Sequence, residues 1–146
     1  MTVYRYRTSA RWTASRKGEV GAESVFEPLV FSAPTEFGGE PNQWTPEHMF
    51  VAAVSSCFVT TFGVIAGLSK FPFAELEVTA EGVLEKEEGG YRFTQVILRP
   101  MLTLEREEDR ERGLRLLEKA ERSCLIARSI SAQMVLEPQL HVLAPV

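Results

Sequence analysis

Cys57 and Cys124 are the only two thiols in the chain, and each falls on or at the end of a segment with helical signals. The first lies within Thr45-Pro46-Glu47-His48-Met49-Phe50-Val51-Ala52-Ala53-Val54-Ser55-Ser56-Cys57-Phe58. The second closes a stretch rich in Glu and Arg and opens Cys124-Leu125-Ile126-Ala127-Arg128. Two remote thiols on helical scaffolds suit redox chemistry better than stapling. A thiolate attacks a peroxide oxygen, and a second thiol converts the resulting sulfenic acid to a disulfide. A metal site fits poorly, because no CxxC or HxxxH spacing supplies adjacent ligands. His48 and His141 therefore read as surface or core residues. The plainer alternative for Cys57 is a core position, since free cysteine is among the most buried residue types. For Cys124 it is an inert helix end.

These residues must be positioned by a fold. At 146 residues the chain is expected to form a single domain (1–146) with its own core. A net charge of −4 argues against a nucleic-acid partner, which needs clustered positive surface. The sequence reading finds no run long enough to cross a bilayer, so no membrane partner is expected. The N-terminal residues alternate apolar and polar types and lack a signal-peptide core, so a cytoplasmic location is expected, where structural disulfides are rare. Arg outnumbers Lys, Glu is abundant and Asn42 is the only asparagine, a composition suited to heat adaptation.

Alternation through residues 3–12 predicts a strand, Arg16-Lys17-Gly18 a turn with Gly18 at positive φ, and residues 20–31 further strand. Pro28 marks an edge or break. Phe37-Gly38-Gly39-Glu40-Pro41-Asn42-Gln43 reads as a loop. Thr45 is an apt N-cap and Pro46 an apt first helical residue, with Glu47 favourable in the first turn. The helix that follows is apolar nearly all round, so burial on almost every side is expected, with an end at Gly67 or at Phe71-Pro72-Phe73. Leu76, Val78 and Ala80 mark a one-sided strand, Glu87-Glu88-Gly89-Gly90 a hairpin, and residues 91–104 the return, kinked or bulged at Pro100. Residues 105–123 read as a second helix with Leu114, Leu117, Ala120 and Cys124 on one face. Glu108–Arg112, Glu111–Arg115 and Glu118–Arg122 are its expected i,i+4 pairs. Residues 133–142 close as a strand. The order β-β-β-α-β-β-α-β, joined by hairpins, is α+β with antiparallel sheets. So apolar a first helix needs more cover than one sheet gives, and a homodimer is the simplest remedy.

Phe37-Gly38-Gly39, Thr45-Pro46-Glu47-His48-Met49-Phe50-Val51-Ala52-Ala53 and Ser55-Ser56-Cys57-Phe58 together resemble the signature of the OsmC/Ohr family, the osmotically inducible and organic hydroperoxide resistance proteins. The second cysteine also falls where the family's does. The resemblance implies an intertwined homodimer with sites at the subunit interface, acting as a thiol peroxidase on organic hydroperoxides without a cofactor. It implies Cys57 as the peroxidatic thiol, Cys124 as the resolving thiol, Glu47 as the acid and Arg16 as the active-site arginine, with Arg11 and Arg5 as weaker matches. A dithiol, such as that of a lipoylated protein, is the implied reductant.

The chemistry explains the residue types. A guanidinium within ~4–6 Å lowers a thiol's pKa by ~1–3 units, and Arg stays charged where Lys does not. Phe50, Phe58 and Phe62 are expected to favour an alkyl peroxide over hydrogen peroxide. The alternative function is a small-molecule or lipid binder with vestigial thiols. Glu47 and Cys57 stand ten residues apart, ~15 Å along an unbroken helix. Either the helix breaks, or Arg16 and Glu47 serve the partner chain's thiol. Where the family often has Cys-Pro-(Val/Tyr)-Ser-Asn, this chain has Cys124-Leu125-Ile126-Ala127-Arg128. His48 likewise replaces a common Glu or Gln.

Overall fold

A computed structural model describes residues 1–144, which divide into two compact units, Met1–Phe50 and Val51–Val146. The fold is α+β. In the first unit β1 (Thr8–Ala14), β2 (Lys17–Ala22) and β3 (Leu29–Ser32) form an antiparallel sheet in the order β1-β2-β3. Residues 1–7 carry no regular structure, so the first strand starts later than the alternation predicts. Its hairpin turns at Ser15 and Arg16, and Ser15, not Gly18, takes the positive φ of 48°. Gly18 sits inside β2 for a different reason. A Cβ there would lie 2.6 Å from the Arg11 carbonyl oxygen and 2.8 Å from the Phe31 ring, so close strand packing excludes any side chain. The expected strand over residues 20–31 is interrupted by an exposed connection at 23–28 that includes Pro28. A 3-10 turn at Thr35–Phe37 then ends on Gly38 at φ 84°.

Helix α1 (Pro46–Leu68) begins where its cap dictates. The Thr45 hydroxyl accepts the His48 N–H at 3.0 Å, and its carbonyl accepts the Met49 N–H at 2.9 Å. Of the two expected ends, Gly67 stays helical, and the helix stops at Leu68, just ahead of Phe71-Pro72-Phe73. Lys70 takes the left-handed position at φ 52°, the Phe71 N–H returns to the Ala66 carbonyl at 2.9 Å, and the Lys70 N–H returns to Gly67 at 3.2 Å. This is a Schellman closure with lysine where glycine is usual.

Burial of α1 is one-sided. Val54, Phe58, Phe62, Ile65 and Ala66 are buried, while Val59, Val64 and Leu68 are exposed. The expectation of burial on nearly all sides therefore fails for the single chain. By length and composition α1 would also suffice to cross a bilayer, contrary to the sequence reading. The core helix of a soluble protein passes the same test.

In the second unit β4 (Glu75–Glu87) and β5 (Gly90–Leu104) form a long antiparallel hairpin, bulged at Val83/Leu84. Pro100 stays in register opposite Val78, so it neither kinks nor bulges the strand. The closing segment is two strands, β6 (Gln133–Leu136) and β7 (Gln139–Val142), each parallel to β5. Their break at Glu137-Pro138 falls opposite Arg99-Pro100, where the proline has no N–H to give a second neighbour. This sheet is thus mixed at its closing strands, where the sequence reading expected antiparallel pairing throughout.

Helix α2 (Arg110–Ser123) is preceded by a 3-10 turn at Glu107–Asp109, and α3 (Leu125–Arg128) follows Cys124 directly. Gly113, Leu117 and Ala120 face the core, whereas Leu114 is exposed. None of the three expected i,i+4 pairs forms among the described residues. Arg106 instead holds Asp109 at 3.1 Å and Arg110 holds Glu107 at 2.8 Å, both at the helix start, where acids offset the dipole. Arg112 leaves Glu108 and reaches across to the Ser69 carbonyl, with its guanidinium over the Phe71 ring.

Candidate active site

Cys57 lies in the middle of α1, half-buried, and Cys124 is the completely buried residue between α2 and α3. Both thiols are free, and each is felt in the electrostatics of the other, so the two are neighbours. The fold thereby brings together two residues 67 positions apart in sequence, the difference between 124 and 57.

Their environments separate them chemically. Burial alone would push the Cys57 thiol up. The Ile126 N–H, the Cys124 thiol, the Thr61 hydroxyl and the Leu125 N–H all favour its anion, and together they bring it below the ordinary thiol value. The N–H groups come from the start of α3, where the first amides of a helix lack intrahelical acceptors and no side chain caps them. Cys124 moves the opposite way. Burial raises it, and the neighbouring Cys57 raises it further, against the pull of the Ala127 and Ile126 N–H groups. Cys57 is thus the sulfur whose environment favours the anion, and Cys124 the one whose environment favours the thiol. Thr61 completes the cluster, with its Oγ1 3.8 Å from the Cys57 sulfur.

The other expected residues are placed as follows. Glu47 is in the first turn of α1, and its Oε1 is buried without a hydrogen-bond partner among the described residues. Arg16 is exposed on the β1–β2 turn, with its guanidinium laid along Gly38. A Cβ on Gly38 would come within 3.2 Å of the Arg16 guanidinium carbon, and φ 84° there already disfavours other residues. The glycine loop and the turn arginine therefore meet, but no ion pair joins Arg16 to Glu47. Arg11 is engaged with Glu19 at 3.0 Å, and Arg5 lies in the irregular first residues. Phe50 is half-buried. Phe58 and Phe62 are fully buried, and Phe62 packs edge-to-face on Phe73 at 5.2 Å, so in this chain both serve as core. The helix does not break between Glu47 and Cys57, which leaves their ~15 Å separation in place.

The model of the OsmC-like protein family matches residues 38–139, a span that includes both cysteines and the glycine loop. This chain belongs to the OsmC-like family. The OsmC-like chain is 25% identical over 145 residues to the uncharacterized protein YmaD of Bacillus subtilis, covering 97% of each. It is 26% identical over 144 residues to Peroxiredoxin OsmC of Escherichia coli, covering 96% of this chain and 99% of that one. Among solved structures, an organic hydroperoxide resistance protein OsmC from Legionella pneumophila superposes with a TM-score of 0.76 at 24% identity, covering 97% of this chain and 100% of that one. That likeness establishes the fold.

Two contributors to the site escaped the sequence reading. Peptide N–H groups carry no side-chain signature, and only the position of Cys124 just ahead of a short helix hints at them. Thr61 was legible in principle, as a hydroxyl four residues beyond Cys57 on the same helix face.

Proposed function

We propose that this chain is a cysteine-dependent peroxidase that reduces organic hydroperoxides to alcohols. The observation that carries this reading is the split thiol pair: an accessible sulfur held toward its anion beside a buried one held toward its thiol. The Cys57 thiolate attacks the terminal peroxide oxygen, the O–O bond breaks, and the alkoxide takes a proton and leaves as alcohol. Cys57 becomes a sulfenic acid. The Cys124 sulfur then displaces its oxygen, which leaves as water, and a disulfide forms. An external dithiol, such as a lipoylated protein, supplies the two electrons and two protons that restore both thiols. A reducing cytoplasm suits this cycle.

Arg16 and Glu47 enter as residues of a second subunit. The buried, unpartnered Oε1 of Glu47 supports this, because a carboxylate oxygen out of water calls for a donor. The unbroken α1 supports it as well, by keeping a chain's own Glu47 far from its Cys57. The glycine loop holds Arg16 ready at a turn, free of other ion pairs. The substrate class rests on the family and on Phe50 rather than on Phe58 and Phe62.

The test is a thiol count. Purified protein is titrated with cumene hydroperoxide and, separately, with hydrogen peroxide. Loss of both thiols at one equivalent of cumene hydroperoxide, reversed by dihydrolipoamide, is the expected result. Thiols that survive excess cumene hydroperoxide would assign the chain to small-molecule or lipid binding instead. A clear preference for hydrogen peroxide would overturn the substrate class.

A further inference from the structure

Helix α1 carries a run of hydroxyls around its cysteine, and all but one follow the same habit. Ser55 donates to the Ala52 carbonyl at 3.2 Å, Ser56 to the same carbonyl at 2.7 Å, and Thr60 to the Cys57 carbonyl at 3.0 Å. Bonding back to the preceding turn is the ordinary outlet for a mid-helix Ser or Thr. Thr61 departs from it. Its hydroxyl makes no bond back to the Cys57 carbonyl, its i−4 acceptor; half-buried, it lies 3.8 Å from the Cys57 sulfur instead. No other hydrogen bond engages the Thr61 hydroxyl among the described residues. A thiolate has no proton to give, so once Cys57 ionises the hydroxyl must be the donor.

Resting on the peroxidase reading above, we propose that Thr61 is a further catalytic residue, whose hydroxyl holds the Cys57 sulfur as its anion and aims it at the substrate oxygen. The donor is neutral, so it holds the thiolate before any guanidinium arrives. Arg16 is then left to meet the peroxide and the departing alkoxide.

The experiment reads the pH dependence of iodoacetamide alkylation, followed at Cys57 by peptide mass mapping, with no peroxide present. Thr61→Val keeps the shape and β-branching of threonine and removes only the hydroxyl. A hydrogen bond to a charged group predicts an upward shift of about one pH unit in the Cys57 midpoint. Thr61→Ser should keep the wild-type midpoint. An unchanged midpoint in Thr61→Val, or equal shifts in the Val and Ser variants, overturns the role of Thr61. A midpoint that moves as expected while hydroperoxide leaves the thiols intact keeps the sulfur-holding role and sinks the peroxidase reading, so the two failures are distinguishable.

Discussion

At the residue scale, two chemically identical side chains are made unequal by what surrounds them. Cys57 receives several donors and retains some exposure, so its anion is stabilised and reachable. Cys124 is enclosed, and a neighbouring sulfur anion makes a second charge costly. Reaction with a limiting alkylating reagent should therefore label Cys57 first. The sign follows from the directions. A depressed thiol already reacts at pH values where an ordinary one is protonated, and its rate levels off once pH exceeds its own midpoint. A raised, buried thiol lags at every such pH. Peptide mapping after brief iodoacetamide treatment at pH 7 should find Cys57 modified severalfold more than Cys124, in the order the two environments dictate. Equal labelling would remove the asymmetry on which the peroxidase cycle depends. The sequence made both thiols legible, because cysteines are few and their helical settings are readable. It could not say which aromatic residues reach a ligand. Phe50, Phe58 and Phe62 look alike in a helical pattern, and only burial separates the core pair from Phe50.

At the element scale, starts were more legible than ends. The Thr45-Pro46 start of α1 is specified by two side chains with fixed geometric demands, and the structure uses both. The end of α1 is decided by packing. Lys70 accepts a left-handed backbone while Phe71 is buried against Gly113, whose missing side chain leaves room for the ring. The closing strands escaped for a similar reason: their parallel pairing to β5 is a long-range choice that local alternation does not encode. The charge pattern of α2 misled in an instructive way. Isolated i,i+4 pairs gain only ~0.3–0.5 kcal/mol, and Arg112 finds a better arrangement. It satisfies the Ser69 carbonyl at the C-terminal end of α1, covers Phe71 and places a positive charge where the helix dipole is negative. Arg112→Ala should cost about 1–2 kcal/mol in urea denaturation, whereas Glu108→Ala, without a partner on α2, should stay within ~0.5 kcal/mol. Similar losses in the two variants would restore the simple i,i+4 account.

At the scale of the whole molecule, the distribution of apolar surface is the unfinished business of a single chain. Every buried apolar side chain among the described residues lies between Val54 and Ala132, so the first unit contributes none. It instead exposes Tyr4, Tyr6, Trp12, Phe26 and Val30 on or beside its three strands, and α1 leaves Val59, Val64 and Leu68 uncovered. Exposed aromatic area of this extent marks an interaction surface. The sequence signalled it through the apolar character of α1, which asks for more cover than one sheet gives and for which a second copy is the simplest source. A second copy that supplies this cover would also bring another chain's Glu47 and Arg16 to Cys57. Complementation tests that arrangement. Cys57→Ser subunits lack the proposed nucleophile, and Glu47→Ala subunits lack the proposed acid. In a mixed dimer, the intact Cys57 of one subunit meets the intact Glu47 of the other at one site, while the second site carries both defects. Random pairing of equal amounts makes about half the dimers mixed, each with one good site, so about a quarter of wild-type hydroperoxide turnover should return after co-refolding. Sites confined to one chain would return nothing above the average of the two parents, because no subunit in the mixture carries both residues.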